Sequence, residues 1–252
     1  MGVRGAALAT VLSRYVECAI IVLWTHRHKL QAPFIEGAYR SMRVPLTLVG
    51  DIFRKGMPLL VNEFLWAYGM AFLTQCYTFR GYDVVGALNI TRVLTDLSSV
   101  AFMAMGMSVG IIVGQLMGSG ASEQEVRDAD RKIITIAVLV CFIFGSLMAA
   151  FSGLFPKLYD TEDSVRKLAT QLICVGAGIM PFNAYTTSAY FTLRSGGKTM
   201  VTFLFDSLFV WVIIVPIAFC LSRFTAVPIV PLYIICQGTD LLKCAQIGRA
   251  HV

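Results

Sequence analysis

Seven apolar stretches of about 18 to 25 residues follow one another along this chain, each of the length a helix needs to cross a bilayer core about 30 Å thick. The expected spans are residues 5–24, 57–79, 84–116, 133–151, 168–193, 201–221 and 229–245. Hydrophobic residues make up 57% of the chain and charged ones 14%, with a mean hydropathy of +0.72, which leaves too little polar surface for a water-soluble domain. The runs are helical by length: a barrel strand needs only about 10 residues and alternates apolar with polar, which none of them does. The expected fold class is therefore an all-α membrane protein of about seven transmembrane helices. The third span, at about 50 Å for roughly 33 residues, is too long for one crossing. Its polar start, with Asn89, Thr91, Arg92 and Asp96, is expected in the outer half or against a wet cavity.

Basic residues set the orientation, because cytoplasmic loops carry an excess of Lys and Arg. One alternating set of loops holds Arg27, Lys29, Arg40, Arg43, Arg54, Lys55, Arg127, Arg131, Lys132, Arg194 and Lys198; the other, smaller set holds Arg4, Arg80, Lys157, Arg166, Lys167 and Arg223. The first set is placed inside. The net charge of +6 follows from this bias and calls for no nucleic-acid partner, since the basic residues are scattered over loops without interleaved aromatics. Both ends read as cuts. Residues 1–10 enter the membrane at once without a signal-peptide pattern, and residues 246–252 (QIGRAHV) match the translation of a common sequencing-library adapter and are set apart from the fold.

The seven cysteines (Cys18, Cys76, Cys141, Cys174, Cys220, Cys236 and Cys244) fall in or beside spans, form no C-x-x-C pair and have no nearby histidine, the three histidines being His26, His28 and His251. Small apolar packing is the expectation for them, with no metal site and no disulfide framework. No P-loop, G-x-S-x-G or H-E-x-x-H motif is present, so neither a nucleotide motor nor a familiar hydrolase is expected; the chain reads as no enzyme and as needing no cofactor.

Polar groups inside the membrane carry the functional signal, since a charge at the centre of a bilayer helix costs about 2.5 to 3.5 kcal/mol on insertion scales. Glu63, beside Asn62 in PLLVNEFLW, has no basic residue at i+3 or i+4. Two readings stay open for it: a carboxyl that exchanges a proton or sodium ion with a cationic substrate, or a headgroup-level side chain. Arg92 with Asp96, and Arg14 with Glu17, share helix faces and read as self-neutralised pairs, with gating as the alternative. Asp206 reads as a helix-end or interhelical contact. Pro181, preceded by Gly176 and Gly178 and followed by Asn183 and Tyr185, is expected to break the fifth span and free the carbonyl of Ala177 towards a cavity. Pro216 reads as a tolerated kink.

Gly106, Gly110, Gly114 and Gly118 recur every four residues and form a ridge for close helix packing, or for sliding during a conformational cycle. Ser122 and Glu125 form a capping-box pattern. Gly196 and Gly197 suit the end of the fifth span, with Arg194 and Lys198 near its last carbonyls.

The segments GAALATVLSRYVE, FRKGMPLLVNEFLW, VGALNITRV, VGQLMGSGASEQEV, PFNAYTTSAYFTLRSGGKT and FDSLFVWVIIVP, in that order over nearly all of residues 2–244, resemble the carboxy-terminal half of a multidrug and toxic compound extrusion (MATE) transporter. The resemblance implies an antiporter of two six-helix lobes in a cell membrane, such as a bacterial inner membrane, expelling small organic, often cationic, compounds in exchange for Na+ or H+. Residues 1–24 would be the last helix of the first lobe, 25–55 an inner linker, and 56–245 the second lobe with its last helix cut short. Family members of the sodium-coupled type use a glutamate early in the second lobe and an aspartate in its fourth helix. Here Asn183 stands in the aspartate's place, and Glu63 lies about a turn from the glutamate's. Ion coupling is accordingly expected at Glu63 and Asn183, with Asn62, Tyr185, Asn89 and Trp66 lining a substrate cavity and Tyr68 as a further aromatic, alternating access as the mechanism, and the chain inactive without its other lobe. A flippase for lipid-linked sugars, with Arg92 as the basic candidate, and a seven-helix receptor are the alternatives.

Overall fold

The computed structural model describes residues 2–30, 32, 35, 37, 44–197 and 199–250. Arg40, Arg43, Lys198, His251 and Val252 lie outside the described residues, as do the side chains of Lys55, Cys244 and residues 245–250. The helices in chain order are α1 (Gly2–Arg27), α2 (Leu46–Thr78), α3 (Tyr82–Gly118), α4 (Glu123–Phe151), α5 (Asp163–Ser195), α6 (residues 199–224) and α7 (Ile229–Ala250), with one short 3-10 turn at Phe155–Leu158. No strand occurs among the described residues. Five helical stretches are long and apolar enough to cross a membrane by length and composition alone: Ala7–Arg27, Tyr82–Gly118, Glu123–Phe151, Asp163–Ser195 and Met200–Phe224. The second and seventh expected spans are helices too, but are not among these five.

Two units divide the chain at Phe53. In the first, α1 is exposed and apolar all round from Ala7 to Trp24, the pattern of a rod meant for lipid or for a partner helix. Its Arg14 and Glu17 pair at 2.8 Å on the exposed surface. The linker expected over residues 25–55 is interrupted by helix, because α2 begins at Leu46 and carries Pro58 within it.

In the second unit α5 is the central rod, packed on α3, α4, α6 and α7. One buried cluster joins five helices through Tyr77 (α2), Ala87 (α3), Leu172 (α5), Val210 (α6) and Leu232 (α7). The packing is that of a membrane protein: along α4 the small or slender Ala137, Cys141 and Gly145 are buried, while Ile136, Leu139, Phe142, Ile143 and Leu147 are exposed. Small residues let backbones approach, and large ones face outward. Of the six described cysteines, all free thiols, Cys76, Cys141 and Cys236 are buried as expected, whereas Cys18, Cys174 and Cys220 are exposed.

Three sequence expectations change. First, Pro181 does not break α5, which runs unbroken from Asp163 to Ser195. The carbonyl of Ala177 is met by α4, so closely that a Cβ on Gly145 would stand 2.6 Å from its oxygen. A glycine on the neighbouring helix thus covers the oxygen the proline leaves unbonded, and no cavity is needed. Second, only half of the α3 glycine ridge packs: Gly106 and Gly110 receive Phe191 of α5, whereas Gly114 and Gly118 have no neighbour within 4 Å. Third, Pro216 is accommodated by loosened turns instead of a simple kink: α6 passes through two π-helical stretches, Leu204–Leu208 and Val210–Ile214, before Val215–Phe224. A proline ring clashes with the carbonyl four residues earlier, here that of Val212, and a wider i→i+5 turn relieves that contact.

Candidate functional site

Local structure before α4 and at the end of α5 follows the sequence pattern closely. Ser122 accepts the backbone N–H of Glu125, and the Glu125 carboxylate accepts that of Ser122 at 3.0 Å, a complete capping box at the start of α4. α5 ends at Gly196, whose N–H bonds to the carbonyl of Thr192, and Gly197 takes a left-handed φ of 74° that a side chain would disfavour. Between these loops Asp130 of α4, 6% exposed, accepts a 2.7 Å hydrogen bond from Thr192 of α5.

Next to this end, three helices bring polar side chains together. Asn62 of α2 is 2% exposed; its amide donates to Asp206 of α6 at 3.1 Å. Ser207, the following residue, donates to both the backbone and the side-chain oxygen of Asn62, at 2.6 and 2.7 Å. Neighbours on a regular α-helix diverge by about 100°. Here both lie in the first π-helical stretch, and both reach one asparagine. One turn further along α2, Trp211 donates from Nε1 to the carbonyl of Leu65 at 2.9 Å, an approach that depends on Gly69, whose Cβ would stand 2.7 Å from Val210 and 3.3 Å from Trp211.

Glu63, adjacent to Asn62, points to the third helix. Its carboxylate lies 3.6 Å from the guanidinium of Arg194 near the end of α5. Tyr190, one turn before Arg194 on α5, lies within electrostatic reach of Arg194, Glu63 and Asp206. The absence of a basic residue at i+3 or i+4 therefore does not leave Glu63 unpaired: its cation comes from a residue 131 positions away. Arg194, expected at the last carbonyls of α5, reaches across to α2. Asp206 makes an interhelical contact, as its position suggested.

The remaining sequence candidates are spread out. Asn183 is half-buried on α5, 11 residues or about 16 Å before Arg194, so it does not share a cluster with Glu63. Tyr185, half-buried, belongs to the same distant stretch. Asn89 is exposed about two turns from the α2–α3 turn, while Glu63 lies about four turns from it, at another depth. Arg92 and Asp96 face each other at 3.5 Å with both side chains about 70% exposed. Trp66 is exposed, and Tyr68 stacks on Trp211 at 5.5 Å between ring centroids. Tyr190, Arg194 and Ser207 are the members of the cluster that sequence reasoning did not place there. The i, i+4 spacing of Tyr190 and Arg194 was the one local signal available.

A carboxylate held by a single guanidinium can exchange that partner for a monovalent cation or a proton. Comparison with known proteins adds the following. The sequence profile of the MatE family matches residues 58–220. The chain is similar to the probable multidrug resistance protein YoeA of Bacillus subtilis, 21% identical over 93% of this chain and 50% of that protein. It is also similar to the probable multidrug resistance protein NorM of Thermotoga maritima, 22% identical over 89% of this chain and 47% of that protein. Human multidrug and toxin extrusion protein 2 is 22% identical over 99% of this chain and 40% of its own length. The chain spans about half the length of the curated relatives it matches.

Proposed function

The chain belongs to the MatE family, and from that premise we propose that it forms one lobe of a multidrug efflux transporter, working with a second lobe of similar size. In this reading the lobes rock about a central cavity and expel small organic cations in exchange for Na+ or H+. Extrusion is supported by the names of the relatives, and family membership favours a transporter over an enzyme or a receptor. A lipid-linked sugar flippase has less support, because Arg92, its basic candidate, is engaged by Asp96.

Ion linkage at Glu63 is supported by one observation above the others: its carboxylate pairs with Arg194 of α5, next to the Asn62–Asp206 hydrogen bond that ties α2 to α6. A group bridging two helices can convert ion occupancy into a change of helix arrangement, because what it holds differs between its ion-free and ion-bound forms. Asn183 and Tyr185 would then line the substrate path at another depth. The test uses the full-length protein in membrane vesicles. Glu63→Gln is expected to abolish the dependence of drug efflux on the driving ion, and retention of wild-type ion dependence would remove Glu63 from the mechanism.

A further inference from the structure

We propose that Arg194 is a positioning residue of this ion-linked site: a tethered cation that occupies the Glu63 carboxylate until the coupling ion displaces it. The proposal rests on the reading of Glu63 given above and assigns a role to a residue of another helix.

Four observations carry it. Arg194 stays charged at every working pH, so it can leave Glu63 only by being displaced or by the carboxylate taking up a proton from water. The contact is a single one, Nη1 to Oε1 at 3.6 Å, without the two parallel bonds of a fork-on-carboxylate pair. Neither side chain is enclosed by protein, at 32% and 55% exposure, so the pair is not sealed off from an ion and is held weakly enough to exchange. Finally, Arg194 has places to go. Tyr190 lies one turn before it on the same helix, and the carbonyl end of α5 begins one residue later.

Among the described residues Arg194 of α5 is the charged group in contact with Glu63, with Tyr190 one turn before it on α5, while Asp206 of α6 is held by Asn62, the neighbour of Glu63 on α2. Lys243 of α7 stands over the Phe209 ring at 5.2 Å, three residues on from Asp206 along α6. When Na+ or a proton neutralises Glu63, the guanidinium loses its partner on α2 and the α2–α5 link opens. When the ion leaves, Arg194 returns, and the empty site is never left with a bare carboxylate.

Full-length protein is reconstituted in vesicles, and efflux of a fluorescent organic cation is measured against Na+ at fixed pH, and against a proton gradient without Na+. Removing the internal competitor by Arg194→Gln is expected to lower the half-maximal concentration of the driving ion by about 1.5- to fivefold, the range set by exposed ion pairs. Arg194→Lys, which keeps the charge, is expected to shift it less in the same direction. A purely structural arginine would lower the thermal midpoint and the maximal rate but leave the ion midpoint in place. Unchanged midpoints in both variants, with Glu63→Gln still abolishing ion dependence, overturn the role of Arg194 and leave that of Glu63 standing. Retained ion dependence in Glu63→Gln overturns both. Should Arg194→Gln not fold, Arg194→Lys decides alone, an unmoved midpoint again overturning the proposal.

Discussion

Asn62 uses its amide nitrogen on Asp206 and its amide oxygen on Ser207, while its backbone oxygen takes a second contact from the same hydroxyl. Removing the side chain strips Asp206 of one donor but leaves Ser207 with the backbone acceptor. Asn62→Ala in the full-length protein is therefore expected to cost about 1 to 2 kcal/mol, the upper range for interhelical hydrogen bonds in membranes. Ser207→Ala should cost a similar amount, and the double variant less than the sum, because the two side chains share a bond. Thermal unfolding in detergent measures this, and strict additivity would argue against the network. Glycines give a second residue-scale test. A Cβ at Gly145 would lie 2.6 Å from the carbonyl oxygen of Ala177, on a backbone that cannot yield as a flexible side chain can, so Gly145→Ala should destabilise by about 1 to 3 kcal/mol. Gly114 has open space around its missing Cβ, and Gly114→Ala should be neutral or slightly stabilising through helix propensity. Equal effects at the two sites would show that α4 does not approach α5 as described.

At the scale of elements, α6 and α5 are two prolyl helices with different solutions. α5 keeps its regular turns through Pro181 because Gly145 of α4 closes over the liberated carbonyl, whereas α6 widens into π turns ahead of Pro216. Widened turns open at lower free energy, so amide exchange over residues 204–214 should be faster than over residues 169–184, where Ala169, Leu172, Ile173 and Ala184 are fully buried. Hydrogen exchange with mass spectrometry of the full-length protein reads this directly, and equal protection would argue against the π turns. The contrast also explains what was legible in advance. The Ser122 capping box, the Gly197 terminus and the helical character of every span depend on residues within a few positions of each other, and local pattern reports them. The pairing of Glu63 with Arg194 depends on how α2 and α5 lie together, so a search at i+3 and i+4 could not find it. Likewise the cover that Gly145 of α4 gives the carbonyl freed by Pro181 comes from a distant residue and leaves no local signature.

For the whole molecule, helix length ties the described loops to opposite membrane faces. α4 has 29 residues, about 43 Å of helix, which exceeds a hydrocarbon core of about 30 Å, so Ser119 before it and Asp160 after it cannot lie on the same side once α4 spans. The excess of basic residues leads to the expectation that the Ser119 side is cytoplasmic, since Arg127, Arg131 and Lys132 lie in the first turns of α4. In a full-length protein freed of its native cysteines, Ser119→Cys should therefore react with an impermeant maleimide only in inverted vesicles, and Asp160→Cys only in intact cells. The same placement sets the depth of the polar cluster. Arg194 sits two residues before Gly196 at the end of α5, antiparallel to α4, and thus on the Ser119 side, so Glu63 is reached from the cytoplasm in this arrangement of helices. A cysteine at Glu63 should then label from inverted vesicles. Labelling of Glu63→Cys from the outer face alone would place the cluster at the wrong end of the lobe for a carboxylate that loads or unloads its ion inside.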